Sequence, residues 1–316
     1  MRVVIIGGSG HIGSYLTPRL VEAGHSVLCV SRGRREPYFP HGAWSKVERV
    51  ILDRPAEEAS GTFGGKIRAL QPDTVIDLTA YTLESTAQLV EALSGEVQHF
   101  LHCGTIWVHG PSVEIPVTEE QPRRPFGDYG IRKAAIEAYL LRESRRNHFP
   151  ATILHPGHIV GEGWIPLNPA ANFDFQVFDD LSAGREIALP NLGRETVHHV
   201  HAGDVAQAFI KAIANRANTI GESFHVVSPR AVSLAGYAEA VASWFGQEAR
   251  IRFLPWDEWR RTVDENHAAK TWDHIAHSPC CSIRKAQRLL DYAPRYSSLE
   301  AVRESVLWQL ARRAND

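Results

Sequence analysis

The sequence predicts an α/β protein, a doubly wound parallel sheet with a smaller C-terminal substrate lobe. Three observations predict it. Short apolar runs alternate with amphipathic stretches, and a glycine-rich turn joins the first run to the first amphipathic stretch. After about residue 156 the composition shifts toward Gly, Pro and Asn, as in "PGHIVGEGWIPLNPAANFDF". The 316 residues suffice for one large domain or two fused lobes. Hydrophobic residues make up 44% and charged residues 22%, the balance of an ordinary globular chain. A net charge of −2 provides no global field to recruit nucleic acid or an anionic membrane. No window approaches eighteen consecutive apolar residues and no leader pattern precedes "RVVIIG". The expectation is therefore a cytoplasmic protein with no membrane and no nucleic-acid partner.

The candidate strands, in order, are Val3–Ile6, Ser26–Val30, Val47–Leu52, Thr74–Leu78, His99–Cys103, Thr152–His155 and Ser223–Val227. Between the first two, Ile12, Leu16, Leu20 and Ala23 recur on one helical face, with Pro18 tolerated as a mild kink and Gly24 as terminator. A second helix over Thr86–Leu93 covers the fourth strand, and a third starts near Tyr129. Residues 1–156 are expected to form the sheet lobe, with 196–228 returning to it. Residues 157–195 and 229–316 form the second lobe, whose tryptophans (Trp164, Trp244, Trp256, Trp259, Trp272, Trp308) read mainly as packing residues.

Four cysteines lack CxxC spacing, and Cys29 reads as a buried thiol. The 16 histidines include the cluster His198, His199 and His201, but no HExxH or finger spacing is present, so no metal site is expected.

Within "VVIIGGSGHIGS", Gly7, Gly10 and Gly13 stand at GxxGxxG spacing between strand and helix. A tight first turn, close approach of backbone to a pyrophosphate and close helix–strand packing each require glycine. Free N–H groups at the helix start then hold the phosphates. Ile12 and Gly13 precede Ser14, so the Lys of a Walker A loop is absent. This is a Rossmann-type dinucleotide turn. An NAD-selective site places an acid at the end of the second strand. Here Ser31 and Arg32 stand there with Arg34 and Arg35 nearby, a set suited to a 2′-phosphate. NADP is the expected cofactor, with NAD as the alternative. Asp53, closing the third strand, is placed to accept from the adenine amino group, or to form a turn.

In "FGDYGIRKAAIEAYLL", Tyr129 and Lys133 are one helical turn apart on one face. A phenol with a pKa near 10 becomes a useful base only with help from a neighbouring ammonium or an oxidised nicotinamide. Thr105 in "HFLHCGTIWVHG" offers a hydroxyl at the carboxyl end of a strand, where such sheets put their sites.

With these residues the chain resembles an extended short-chain dehydrogenase/reductase of the NAD-dependent epimerase/dehydratase family. "DLTAYTLEST", "ILHPGHIVGEG", "VHHVHAGDVAQAF" and "SIRKAQRLLDYAPRYS" are similar to further family segments, so the resemblance runs nearly end to end. It implies that Thr105 holds the substrate oxygen, Tyr129 exchanges its proton, and Lys133 binds the nicotinamide ribose and depresses the Tyr129 pKa. It also implies a cofactor site made of Gly7, Gly10, His11, Ile12, Gly13, Ser31, Arg32, Asp53, Leu78, Thr79, Ala80, Tyr129, Lys133, Pro156 and His158. The implied reaction is hydride transfer at a secondary alcohol or ketone of a sugar, sugar-like or polyol substrate. Two alternatives stand beside it, a nucleotide-sugar 4-epimerase with tightly bound NAD and a non-catalytic cofactor-binding sensor. A 4,6-dehydratase is discounted, because Ile106 and Trp107 supply no acid pair.

Two departures from the family pattern bear on the substrate. His109 replaces a family Tyr, and no Arg stands between Thr271 and Cys281, where the epimerases commonly bind a pyrophosphate. A homodimer is expected through the helix carrying Ala134, Ala135, Ala138, Tyr139 and Leu141.

Overall fold

In the computed structural model, which describes residues 1–314, the long apolar runs assemble into one seven-stranded sheet. The first six strands are β1 (Arg2–Ile6), β2 (Ser26–Ser31), β3 (Glu48–Ile51), β4 (Thr74–Asp77), β5 (His99–Cys103) and β6 (Ala151–Pro156). Four short strands follow, β7 (His158–Val160), β8 (Glu186–Pro190), β9 (Thr196–Val197) and β10 (His199–His201). β11 (Glu222–Val226) completes the main sheet, and β12 (Val232–Ser233) and β13 (Arg250–Leu254) pair with β9 and β8. The sheet order is β11-β6-β5-β4-β1-β2-β3, with every pairing parallel. The order reverses between β1 and β4, which opens a crevice beyond the carboxyl ends of those strands.

β1 shows why the strands read as continuous apolar runs. Val3 and Ile5 enter the cluster on one face, and Val4 and Ile6 enter the cluster on the other. Both faces are covered, so neither alternate position is polar. The first face is packed by α1 (His11–Glu22), and the second by α3 (Phe63–Ala69), α4 (Leu83–Leu93) and α5 (Gly127–Asn147), while α2 (Arg54–Ala59) lies against α3 without burying a residue. α6 (Gln176–Ser182) packs in a separate core, and α7 (Ala202–Ala214) lies against α1. That separate core gathers Leu167, Phe178, Leu189, Tyr237, Trp259 and Ile275. It uses α8 (Leu234–Trp244), α9 (Trp256–Trp259) and α10 (Glu265–His277). α11 (Arg284–Leu290) returns to the sheet, where Ile283, Ala286, Leu290 and Tyr292 join the α1 face, and α12 (Ser298–Arg313) packs on the second core.

Pro18 sits inside α1 without ending it. Ala23 is not part of the buried stripe: it is exposed at the helix C-cap, and Gly24 follows at φ +83°. The second helix starts at Leu83, three residues earlier than its apolar positions suggest, because Thr82 caps it by accepting from the Ser85 N–H. Among the described residues no helix is long and apolar enough to cross a membrane.

Candidate active site

The glycine turn lies at the carboxyl end of β1. Gly7 has φ +89°, and its N–H donates to Val30 O at 2.9 Å, tying the turn to β2. A Cβ on Gly7 would stand 2.5 Å from Thr79 Cγ2, and one on Gly13 would stand 2.2 Å from Gly8 O. Gly10 is the N-cap of α1 and brings no side-chain cap, so the first N–H groups of the helix are not claimed by a side chain there. These features fit a dinucleotide pyrophosphate. His11 and Ile12 lie in the first turn of α1 and are buried. His11 stacks on Trp164 at 4.9 Å and 6°, and burial brings its pKa down to about 3. Trp164 is 40% exposed and comes from the loop after β7, which thereby reaches the start of α1.

At the end of β2 a cavity of about 100 Å³ is lined by Ser31, Gly33, Arg35, Glu36, Arg49 and Ile51, among others. Ser31 therefore stands where the sequence places it. The arginines on the lining are Arg35 and Arg49, whereas Arg32 is exposed and does not line it. Arg49 forms a two-pronged pair with Glu36 at 3.0 and 3.1 Å. Asp53 begins α2 as its N-cap and pairs with Arg34 at 3.5 Å. Leu78, Thr79 and Ala80 follow β4. The Thr79 N–H donates to the fully buried Asp77, whose partner Arg54 lies at 2.8 Å.

Thr105, Tyr129 and Lys133 converge beyond β5. Thr105 is buried in the turn after the strand, and Tyr129 and Lys133 occupy successive turns of α5. The cleft leaves 42% of Tyr129 accessible, yet close surroundings desolvate its phenol and raise its pKa. Cys103 and Tyr81 push the same way, while a hydrogen bond with the Thr105 side chain lowers it. Tyr129 is therefore a protonated phenol at neutral pH, a proton donor. Lys133 is 3% exposed and donates to Ala80 O and Cys103 O, both at 2.7 Å. Its ammonium also sits 4.9 Å over the Tyr81 ring. Burial lowers its pKa. Two of its three protons tie the β4 and β5 loops together, which leaves the third for a ligand hydroxyl.

The wall opposite is aromatic. Trp107 stacks on His277 at 4.1 Å, Phe126 covers the other side of that imidazole at 4.0 Å, and Trp107 meets Tyr129 edge-on at 5.9 Å. His274 lies 5.1 Å from Trp107 and 4.7 Å from His158. Burial lowers the pKa of His158 and His277 and brings His274 down to about 4, so this wall carries no imidazolium at neutral pH. His158 stands in this wall, and Pro156 is buried at the end of β6. His109 turns away from the cleft: it is buried, and its Nε2 meets His225 Nε2 at 2.8 Å. Among the described residues no group of three or more His, Cys, Asp or Glu is arranged to hold a metal ion.

The parts of this site that the sequence did not mark are Trp107, Tyr81, Arg49 and Trp164. Arg35 belongs to the basic set read after Ser31, whereas placing Arg49 beside it requires the register of β3 on β2. Trp107 sits two residues after Thr105, and that proximity was its only mark.

A model of the NAD dependent epimerase/dehydratase family matches residues 3–226. The chain is 28% identical to a 2′-dehydrokanamycin reductase of Streptomyces kanamyceticus, over 87% of this chain and 76% of that one. It is 26% identical to a UDP-glucose 4-epimerase of Mycolicibacterium smegmatis, over 81% and 86%. Among solved structures, a UDP-glucose 4-epimerase with UDP-glucose from Thermotoga maritima superposes with a TM-score of 0.74 at 18% identity, covering all of both chains. At that identity the superposition speaks for the fold alone.

Proposed function

The chain belongs to the NAD-dependent epimerase/dehydratase family and is an NAD(P)-dependent enzyme; from that premise we propose that it reduces a ketone on a sugar-like or polyol ring. The observation that carries this reading is the convergence of Thr105 with a protonated Tyr129 in front of an uncharged aromatic wall. The Thr105 hydroxyl donates to the substrate oxygen, and Tyr129 delivers a proton to it as it becomes a hydroxyl. Lys133 orients the ribose of the cofactor through its remaining proton; the group that lowers the Tyr129 pKa is the Thr105 side chain, not Lys133 as the sequence led one to expect. The nicotinamide, when bound, supplies the hydride chemistry. Gly7, Gly10, His11, Ile12 and Gly13 hold the pyrophosphate, Leu78, Thr79 and Ala80 line the groove, and Pro156 and His158 flank the nicotinamide side.

NADP is the preferred cofactor in this reading, with Ser31, Arg35 and Arg49 around the 2′-phosphate. The wall of Trp107, His274 and His277, and the lack of Arg between Thr271 and Cys281, support a substrate without a diphosphate. An amino sugar or aminocyclitol ketone has that character, and the kanamycin-type relative is named for such a substrate. The second reading is a nucleotide-sugar epimerase with tightly held NAD. It is favoured by the 4-epimerase relative and by Glu36, which occupies Arg49 beside the adenosine cavity. We assign residues 1–156 and 196–228 to the cofactor lobe and 157–195 and 229–314 to the substrate lobe, except for α11 and its flanks, which pack on the sheet and so belong with the cofactor lobe. A homodimer formed through α4 and α5 accounts for the half-exposed Ala134, Ala135, Tyr139 and Leu141 and the exposed Ile131 and Ala138.

The test is a fluorescence titration with NADPH and NADH, followed by turnover of a panel of ketosugars with and without a nucleotide. Exchangeable NADPH and turnover of the nucleotide-free ketones support the reductase. Tightly co-purified NAD with interconversion of nucleotide sugars would replace it with the epimerase.

A further inference from the structure

Thr105 is held from behind by residues that do not reach the cleft. Its backbone N–H donates to His155 Nδ1 at 2.9 Å. An N–H only donates, so Nδ1 is the unprotonated nitrogen and the ring proton resides on Nε2. That Nε2 lies 3.0 Å from Glu137 Oε1. Glu137 is gripped in turn by Arg123, with Nε to Oε2 at 3.0 Å and Nη2 to Oε1 at 2.6 Å. Arg123 also donates to Gln121 O and to Ser223 Oγ, which anchors the far end in the loop before α5 and in β11. His155 and Glu137 are buried, and burial of the carboxyl is outweighed by His155 and Arg123, which hold it ionised.

The backbone is adapted to this ring. A Cβ on residue 104 would stand 2.3 Å from His155 Nδ1 and 2.7 Å from its Cε1, so glycine before Thr105 is what lets the imidazole approach. Glu137 follows Lys133 by one turn of α5, so the helix that carries Tyr129 and Lys133 also carries the carboxylate at the base of the chain. The contacts thus link the end of β5 to α5 through β6, across the two elements whose spacing sets the Thr105–Tyr129 distance.

We propose that His155, with its tautomer set by Glu137 and Arg123, is a positioning residue that fixes Thr105 against Tyr129. The proposal rests on the reading of Thr105 as the group that holds the substrate oxygen. Loss of the ring lets the turn after β5 drift, and a displacement near 1 Å in such a group costs on the order of 10²-fold in turnover.

The experiment is a double-mutant cycle on kcat with Thr105→Ala and His155→Leu, with cofactor affinity and hydrogen exchange of the 103–107 segment measured alongside. His155→Leu should lower kcat by about 10²-fold, keep the cofactor dissociation constant within about twofold, and speed exchange of the Thr105 amide. In the Thr105→Ala background the same change should cost less than about threefold, because the group it positions is gone. His155→Asn presents a carbonyl oxygen in the region of Nδ1 and should recover kcat to within about fivefold of the wild type; it also serves if the leucine variant does not fold. Additive effects in the cycle, or an asparagine variant as slow as the leucine variant, would overturn the proposal. A Thr105→Ala enzyme with wild-type turnover would instead refute the role of Thr105 itself, and the proposal with it.

Discussion

Replacing Gly13 by alanine adds a methyl group 2.2 Å from Gly8 O, 2.4 Å from Gly8 C and 2.7 Å from Gly8 Cα. Every atom met is backbone, so no side chain can turn aside. Reaching the 3.4 Å of ordinary contact needs a shift of about 1.2 Å between α1 and the turn. Leu16 and Leu20 anchor the helix in the core and Thr17 Oγ1 donates to Gly8 O at 3.1 Å, so that shift strains packing and a buried hydrogen bond together. Overpacking costs about 1–3 kcal/mol and the hydrogen bond about 1 kcal/mol, while alanine's helix preference offsets up to about 1 kcal/mol. The net is a loss of about 2 kcal/mol, or a fall in Tm of about 3 °C for a chain of 316 residues. The moved atoms are also the phosphate cradle, so NADPH affinity should drop by more than about tenfold. Differential scanning fluorimetry and fluorescence titration measure both. Gly42→Ala is the control, since its Cβ would meet nothing within 4 Å. A Gly13→Ala protein that melts and binds like the wild type would refute the close-packing account of the turn.

Acid should unfold this protein early. Burial brings His11, His109 and His199 down to about 3 and His99, His198 and His274 to about 4. Below pH 6.5 the unfolded chain binds protons that the fold refuses, so stability present above 6.5 is lost as pH falls toward 4. At pH 5.5 each such histidine costs on the order of 1 kcal/mol, and together they take a large part of a typical global stability of about 5–15 kcal/mol. Near-ultraviolet circular dichroism should show cooperative loss above pH 5, and an unchanged signal at pH 4 would contradict it. Arg54→Met strands the carboxylate of Asp77 in the interior and should lower stability by about 3–5 kcal/mol in urea unfolding. A loss under 1 kcal/mol would show that Asp77 is satisfied without the guanidinium. Arg35→Ala should weaken NADPH about tenfold and leave NADH within about twofold; equal effects on both would remove Arg35 from the 2′-phosphate reading.

The sheet was legible because its strands are buried on both faces, so β1, β2, β4, β5 and β6 stand out as apolar runs. β3 is an edge strand with exposed Glu48, Arg49 and Ile51 and carries a weaker mark. α2 and α3 escaped notice, since six- and seven-residue helices complete too few turns to establish a period. The pairs β7–β10, β9–β12 and β8–β13 were invisible for the same reason, together with partners up to 64 residues distant in the chain. At the site, the glycine turn, Thr105, Tyr129 and Lys133 could be read because each chemistry demands a residue type at a fixed local spacing. Arg35 and Arg49 could not be ranked above Arg32, because the cavity forms only when β3 docks on β2. His155 and Glu137 were hidden for a related reason: an imidazole on β6 acts on a backbone N–H 50 residues away.

Exchange of the substrate proton by Tyr129 is tested by Tyr129→Phe. The variant keeps the ring that meets Trp107 and Tyr81 and removes only the hydroxyl. Measured on a ketone that the wild type reduces, kcat should fall by about 10²–10⁴-fold while the NADPH dissociation constant stays within about twofold. Turnover retained within about threefold, with cofactor still bound, would contradict the account.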